Sequence, residues 1–311
     1  MSGPVDTGLL DRLHLRMQLV RSLEEALQRL CDAGEAGDLH LNRGQEAVSI
    51  GACAALRPSD LIVVHHRTIS HAVAKGVPLY PLVAELLGRA DGICGGMGGE
   101  MHMSLPAVGF MFSFQIVATC VPVAAGLAWA ARHHRRTDDV VAVFHGDAAT
   151  SNGQWHEGAS LAVLMRSPLL MICENNGLAG NVRPRFYMPT ETVAQRAAGM
   201  GIEAERIDGT HIEDVVRAVA EAAARVRETS LPFLLECDVP RLSWHKQGQR
   251  DARPPEEVAR LALRCPLLRL ASLLGLGEEE RTLRREAAER EVAEVVGRAR
   301  LAPPPDRVRQ A

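Results

Sequence analysis

The chain has 311 residues, 47% hydrophobic and 23% charged, with a net charge of −3. That composition is ordinary for a globular protein and gives no electrostatic case for nucleic acid or an anionic membrane surface. The length suits one large α/β domain, or such a domain with a C-terminal appendage. Arg greatly outnumbers Lys, which occurs only at Lys75 and Lys246; this bias belongs to coding more than to function.

Cys31, Cys53, Cys94, Cys120, Cys173, Cys237 and Cys265 form no Cys-x-x-Cys pair, and several sit in apolar runs. Cysteine behaves there as a small hydrophobe, so a reducing cytosol is expected. The N-terminus lacks the basic-then-apolar layout of a signal peptide. The longest small-apolar stretch, Cys120–Ala131, holds Pro and Gly and is too short to cross a bilayer. A cytoplasmic location follows as the expectation.

In chain order, Leu9–Ala33 is predicted as an amphipathic helix with Leu13, Met17, Val20, Leu23, Leu27 and Leu30 on one stripe. Gly34–Asn42 reads as a turn, Gln45–Ala55 as a helix of small residues, and Asp60–Val64 as a strand leading into His65-His66-Arg67. Pro81–Leu87 is helical, and Asp91–Ser104 is a glycine-rich loop. No Gly-Lys-Ser/Thr follows those glycines, which argues against a P-loop. Pro122 opens a helix to Arg136, with Arg132, Arg135 and Arg136 at its negative end. Val140–Phe144, Gly153–Met165 and Pro168–Cys173 read as strand, helix and strand. A helix near Thr192–Gly199, a strand at Ala204–Ile207, a helix over Ile212–Glu228 and a strand at Phe233–Cys237 follow. Trp244–Pro255 reads as a polar loop, Glu278–Arg300 as a charged helix, and Pro303–Pro305 as the end of the fold. Strands alternating with helices predict an α/β fold with a doubly wound, mostly parallel sheet. The boundary falls between a main domain over residues 1–275 and a C-terminal helical extension over 276–311.

The most informative segment is the βαβ unit from Val140 to Asn181. Its right-handed crossover makes the two strands parallel and close, so Asp147 and Asn176 emerge at the same carboxyl edge. Ligands of open α/β sheets bind at that edge. Both side chains offer oxygen, which hard cations prefer, and Mg2+ combines one or two carboxylates with phosphate oxygens and water. The expected ligand is a metal-bridged diphosphate; the alternative is an ordinary strand-end turn with an Asx cap. His66-Arg67 follows a strand, and the guanidinium fork matches phosphate oxygens, although by itself the pair also reads as a solvated basic turn. Phe114–Ala118, on its residues alone, reads as a plain core strand. His245, a lone histidine in a polar loop, reads as exposed.

The Gly146-Asp147-Ala148 to Asn175-Asn176 segment resembles the thiamine-diphosphate motif, Gly-Asp-Gly followed some thirty residues on by Asn-Asn. More narrowly, the chain resembles the α subunit of the first component of 2-oxo acid dehydrogenases, the pyruvate, branched-chain and acetoin group. The likeness runs through Gly44-Gln45-Glu46-Ala47, His66-Arg67, and Gly98-Gly99-Glu100-Met101-His102-Met103, where the family motif has Gly-Gly-Ser-Met-His-Met. It covers about residues 10 to 305. The resemblance implies a thiamine-diphosphate-binding fold in which Asp147, Asn176 and the Leu178 carbonyl hold Mg2+. It places Gly146, Ala148 and Ala149 along the diphosphate, with His66 and Arg67 contacting it. Gln115 and Val117 fall where the family's Gly-x-Gly-Ile-Val-Gly touches the aminopyrimidine. His71 matches a histidine of acetoin-type members, and His245 heads a mobile active-site loop, which makes both catalytic candidates. His102 reads as structural.

The implied reaction is decarboxylation of a 2-oxo acid with passage of the acyl group to a lipoyl acyltransferase. A separate β subunit grips the aminopyrimidine in an α2β2 assembly. Departures at Ala148, Ile69, Gln115, Ala118 and residues 246–253 leave two alternatives open. One is a non-oxidative carboligase or ketol transferase subunit acting on a small carbonyl acceptor. The other is a non-catalytic scaffold subunit.

Overall fold

The computed structural model describes residues 5–246 and 249–306. Its first half runs α1 (Thr7–Asp32), α2 (Glu46–Ala55), β1 (Leu61–Val64), α3 (Ile69–Lys75), α4 (Leu79–Leu86), β2 (Phe110–Ser113) and α5 (Cys120–Trp129). The second half runs β3 (Val141–Gly146), α6 (Gly153–Leu164), β4 (Leu169–Asn175), α7 (Val193–Ala198), β5 (Glu203–Asp208), α8 (Ile212–Thr229) and β6 (Phe233–Asp238). Then come α9 (Pro255–Ala262), α10 (Pro266–Leu273) and α11 (Glu278–Leu301).

The six strands form one sheet in the order β2-β1-β3-β4-β6-β5, and every neighbouring pair is parallel. Parallel strands buried on both faces need apolar residues at successive positions, and Val141–Phe144 and Leu169–Cys173 supply them. Because side chains alternate across a strand, Ala142 and Phe144 join a core under α1, α2, α8 and α11. Val141 and Val143 join a second core under α5, α6 and α7. The sheet is thus covered on both faces, as the alternation of elements predicts.

Local chemistry sets the element ends. Asp6 caps α1, its carboxylate accepting the Leu9 N–H at 2.8 Å, and Gly34 turns the chain away with φ of 72°. Helix α5 stops short of the expected Arg136, loosening into a π-helical turn over Ala130–His134. Helix α6 lies close to α5 because Gly158 has no side chain; a Cβ there would sit 2.6 Å from Pro122 N. Helix α11 buries Ala288, Val292, Val296 and Ala299, the last three inside the core that α1 also lines.

Five parts of the chain differ from the sequence expectation. Phe114–Ala118, read from its residues as a core strand, is a turn that follows β2, with Gln115, Ile116 and Val117 exposed. Helix α3 and strand β2 are too short to show a period. Helices α9 and α10 each open on a proline at the first turn, which suits a helix start, but no long apolar stripe announces them. The glycine-rich loop is built around a buried anion. Glu85 of α4 accepts from the backbone N–H groups of Cys94 and Gly96 on one carboxylate oxygen and from Gly98 and Gly99 on the other, at 2.7–3.0 Å. Gly96 must lack a Cβ there, since one would lie 2.4 Å from the Arg89 carbonyl oxygen.

Candidate active site

Strands β3 and β4 run in register, with Gly146 opposite Glu174, so their next residues emerge side by side at the carboxyl edge. Asp147 begins a tight 3-10 turn over Asp147–Ser151, which Arg196 of α7 braces through the Thr150 and Ser151 hydroxyls at 2.9 and 3.1 Å. Beyond β4 the two asparagines divide the work. Asn175 donates to Glu236 at 2.7 Å and accepts the Gly177 N–H at 3.0 Å, forming an Asx turn with Gly177 at φ of 66°. Asn176 is thereby turned into the cavity. Its Nδ2 donates to Gln45 Oε1 at 3.3 Å, while its buried Oδ1 has no partner.

These two strand ends open on a cavity of about 230 Å3. Its wall includes His66, Arg67, Val117, Gly146, Asp147, Ala148, Ala149, Asn176, Leu178 and His245, all singled out from the sequence. Two other candidates lie elsewhere. Gln115 is solvent-exposed and outside the cavity wall. His71 is fully buried one layer behind it, in α3, and so cannot touch a ligand in the cavity. The wall also contains His65, His145, Glu174 and Arg241.

Burial raises the Asp147 carboxyl, while the Tyr187 hydroxyl and the backbone N–H groups of Asp147, Ala148 and Asn176 favour its ionised form. Tyr187 donates directly to Oδ2 of Asp147. Ala148 keeps an ordinary negative φ, so its methyl group fits where the motif has glycine, whereas Ala118 is held at φ of 72°. That left-handed conformation costs a non-glycine residue about 1–2 kcal/mol.

The opposite wall is cationic. Arg67 donates to the Leu41 carbonyl at 2.7 Å, the His245 carbonyl at 2.8 Å and His245 Nδ1 at 3.1 Å. Arg241 donates to the Gly180 carbonyl at 2.7 Å, and its Nε is buried without a partner. Neither guanidinium contacts a carboxylate among the described residues. Burial lowers Arg67 to about 10, against the pull of Glu100, Glu24 and Glu174. Burial, with Arg67 and Arg253 acting in the same direction, lowers Arg241 to about 9. Both remain charged at neutral pH, held near carboxylates but hydrogen-bonded to none among the described residues. Trp244 packs against Arg241 and Arg253, whose guanidinium carbons lie 5.1 and 5.3 Å from its ring centre. Gln247 and Gly248 of the same loop lie outside the described residues.

Imidazoles fill the space between. Burial lowers His245 and His145 to about 4 and His66 well below its usual value, so all three are neutral at pH 7. Because Arg67 donates to His245 Nδ1, the hydrogen of neutral His245 must reside on Nε2. Within the wall, Glu174 accepts from His65 Nε2 at 2.7 Å and lies 3.4 Å from Nε2 of the interior His71. Burial opposes its ionisation, but His71 and His65 outweigh it and hold Glu174 down at about 2. This trio has metal-ligand types within 4.8 Å of one another; His65 Nε2 and Glu174 Oε2 already pair, while Glu174 Oε1 and both His71 ring nitrogens are buried without a hydrogen-bond partner. Asp147 and the orphaned oxygen of Asn176 offer the harder, all-oxygen pair that Mg2+ prefers.

A family model described as "Dehydrogenase E1 component" matches residues 15–306. The chain belongs to the dehydrogenase E1 component family. It is 34% identical over 237 residues to the α subunit of acetoin:2,6-dichlorophenolindophenol oxidoreductase from Bacillus subtilis (strain 168), covering 76% of this chain and 71% of that one. It is 30% identical over 294 residues to the chloroplastic pyruvate dehydrogenase E1 component subunit alpha-3 of Arabidopsis thaliana, covering 92% and 69%. It is 35% identical over 235 residues to the pyruvate dehydrogenase E1 component subunit alpha of Zymomonas mobilis, covering 75% and 66%. Within that family it is the α subunit of a thiamine-diphosphate-dependent 2-oxo acid dehydrogenase.

Proposed function

We propose that this E1 α chain holds the diphosphate and Mg2+ end of thiamine diphosphate in the cavity described above. The observation that carries the reading is the unpartnered, buried Oδ1 of Asn176 beside the Asp147 carboxylate, in one cavity with two guanidinium groups that no described carboxylate contacts. A divalent ion satisfies the oxygens and a diphosphate satisfies the cations, so one ligand accounts for both walls. Asp147, Asn176 and the Leu178 carbonyl are assigned to the metal. Arg67, with His66 and Arg241 beside it, is assigned to the diphosphate, and Gly146, Ala148 and Ala149 give it backbone surface.

When bound, the cofactor supplies a nucleophilic carbon and an electron sink for decarboxylating a 2-oxo acid. This chain's share is anchoring, orientation and exclusion of water. Arg67 also fixes His245 as a neutral Nε2–H donor at the mouth, suited to bind a substrate carboxylate or carbonyl oxygen without adding charge. Val117 is assigned to support the organic ring. The side chains exposed near it include Ile116, 65% exposed, and Phe112, 38% exposed. An apolar rim of this kind suits a β subunit that completes the ring site in an α2β2 assembly. A lipoyl acyltransferase is the proposed acyl acceptor. All seven cysteines are free thiols and no described helix is long and apolar enough to cross a membrane, which supports a cytoplasmic setting.

Ile69 is buried in α3 and Gln115 lies outside the cavity, so neither departure alters the described ligand wall. Calorimetric titration of the reconstituted α and β chains with thiamine diphosphate, with and without Mg2+, tests the reading. The expected result is tight binding only with the metal. Binding of equal strength after removal of the metal would overturn it.

A further inference from the structure

One buried polar pair stands apart from the groups assigned above. Glu100 closes the glycine-rich loop that Glu85 organises, and only 5% of its surface is exposed. Its two carboxylate oxygens share the backbone N–H of His40 at 2.9 and 3.1 Å. Its Oε2 also lies 3.0 Å from His40 Nδ1. The His40 ring is itself buried, and it meets His66 and His245 of the cavity wall edge-on at centroid distances of 4.8 and 5.1 Å.

The titratable groups facing the pair, besides His66 and His245, are Arg67, Lys246, Asp38 and the Cys31 thiol of α1. Lys246 and Asp38 neutralise each other at 2.8 Å near the surface. Arg67 directs its hydrogen bonds to Leu41 and His245. Glu100 therefore has His40 as its direct side-chain partner.

We propose that Glu100 and His40 form a proton-sharing clamp that fixes His40 Nε2 as a hydrogen-bond donor beside His66 and His245, making both positioning residues of the cavity. Proton counting carries the argument. At 3.0 Å, Oε2 and Nδ1 are placed to share one titratable proton. If it sits on oxygen, the carboxyl O–H donates to Nδ1, and the imidazole hydrogen must be on Nε2. If it sits on nitrogen, Nδ1–H donates to the carboxylate, and Nε2 still carries its own hydrogen. Either placement presents Nε2–H. Only loss of the shared proton reverses the ring: the remaining hydrogen moves to Nδ1, facing the carboxylate, and bare Nε2 becomes an acceptor.

Burial pushes Glu100 up to about 8, opposed by the His40 N–H, Arg67 and Lys246. Burial, with Arg67 and Lys246, pushes His40 down to about 4. The clamp thus holds its proton through neutrality and releases it on the alkaline side.

The full chain labelled with 15N-histidine, with no cofactor added, tests this by the side-chain nitrogen shifts of His40 from about pH 6 to about pH 10. His40→Asn identifies the resonance. The expected result is an Nε2–H tautomer at neutral pH that switches to Nδ1–H near pH 8. In Glu100→Gln the amide donates to Nδ1 and cannot titrate, so the switch disappears while Nε2–H persists. Reconstituted with its β chain, the wild type is expected to show an alkaline fall in activity that the same variant loses. A wild-type His40 that keeps one tautomer over the whole range overturns the proposal, whatever the variant does. So does a Glu100→Gln chain that switches like the wild type. Because the nitrogen readout needs no ligand, failure of the clamp and failure of the proposed function are separately visible.

Discussion

The two walls of the cavity are built by different means. The oxygen wall hangs on strand ends: Asp147 and Asn176 leave β3 and β4 at positions fixed by six successive register pairs. The cationic wall hangs on segments between elements: Arg67 between β1 and α3, Arg241 and His245 after β6. The first wall is positioned by the sheet, the second by hydrogen bonds from guanidinium groups to carbonyls. The difference teaches that the proposed metal ligands are placed by backbone register, whereas the proposed anion-binding groups are placed by the geometry of individual side chains.

The hardest test of that contrast is Asp147→Asn, which keeps the shape and removes the charge. The expected outcome is a loss of at least about 100-fold in Mg2+-dependent cofactor affinity, about 2.7 kcal/mol, by calorimetry on the reconstituted subunits. The far-ultraviolet spectrum should be unchanged, since the register does not depend on this side chain. Retained affinity would mean that the oxygen wall is not the metal site. Next is Arg67→Lys, which keeps the charge but cannot make the three contacts that the fork makes. A loss of about tenfold, 1.4 kcal/mol, is expected, with the metal requirement intact. If it also abolished the metal dependence, the two walls would not be separable.

A third expectation concerns acid. His40, His145 and His245 are all held at about 4 in the folded chain, below the ordinary histidine value. A group with a depressed folded pKa binds fewer protons folded than unfolded between the two values, so stability rises with pH there. Their contribution is present above about 6.5 and is lost as pH falls towards 4. The thermal midpoint should decline through that window, and a histidine-specific share of the decline should vanish in His145→Gln. A midpoint that stays level from 6.5 to 4 would contradict the burial argument. The smallest effect is that of Ala118→Gly, which relieves the left-handed strain but frees the unfolded chain. A gain of about 0.5–1 kcal/mol is expected in denaturant unfolding.

The sheet-borne wall was legible in the amino-acid order. Gly146-Asp147 and Asn175-Asn176 bracket a helix that runs over Gly153–Leu164, one residue shorter than predicted, and crossover handedness brings both ends to one edge. Much of the other wall was not. Arg67 is marked by its place after a strand, but nothing in the sequence marks Arg241, whose unpartnered Nε becomes visible only in the fold. Glu174 looked like part of an apolar strand, since its partners His65 and His71 come from a segment more than a hundred residues earlier. Tyr187 reaches Asp147 from an irregular loop with no repeating pattern to betray it. His71 marks the opposite lesson: motif position suggested chemistry, and the fold put the ring in the interior.

The Arg241–Trp244–Arg253 stack has an optical consequence. Trp155 is sealed in the core and Trp129 lies on the surface helix α5, so among the three tryptophans only Trp244 adjoins a cavity arginine. An anion that draws Arg241 toward the cavity shifts a cation at the face of that indole, and indole emission responds to nearby charge. Trp244 is therefore placed to report the proposed diphosphate capture by its emission, and Trp129→Phe would sharpen that signal without touching the cavity.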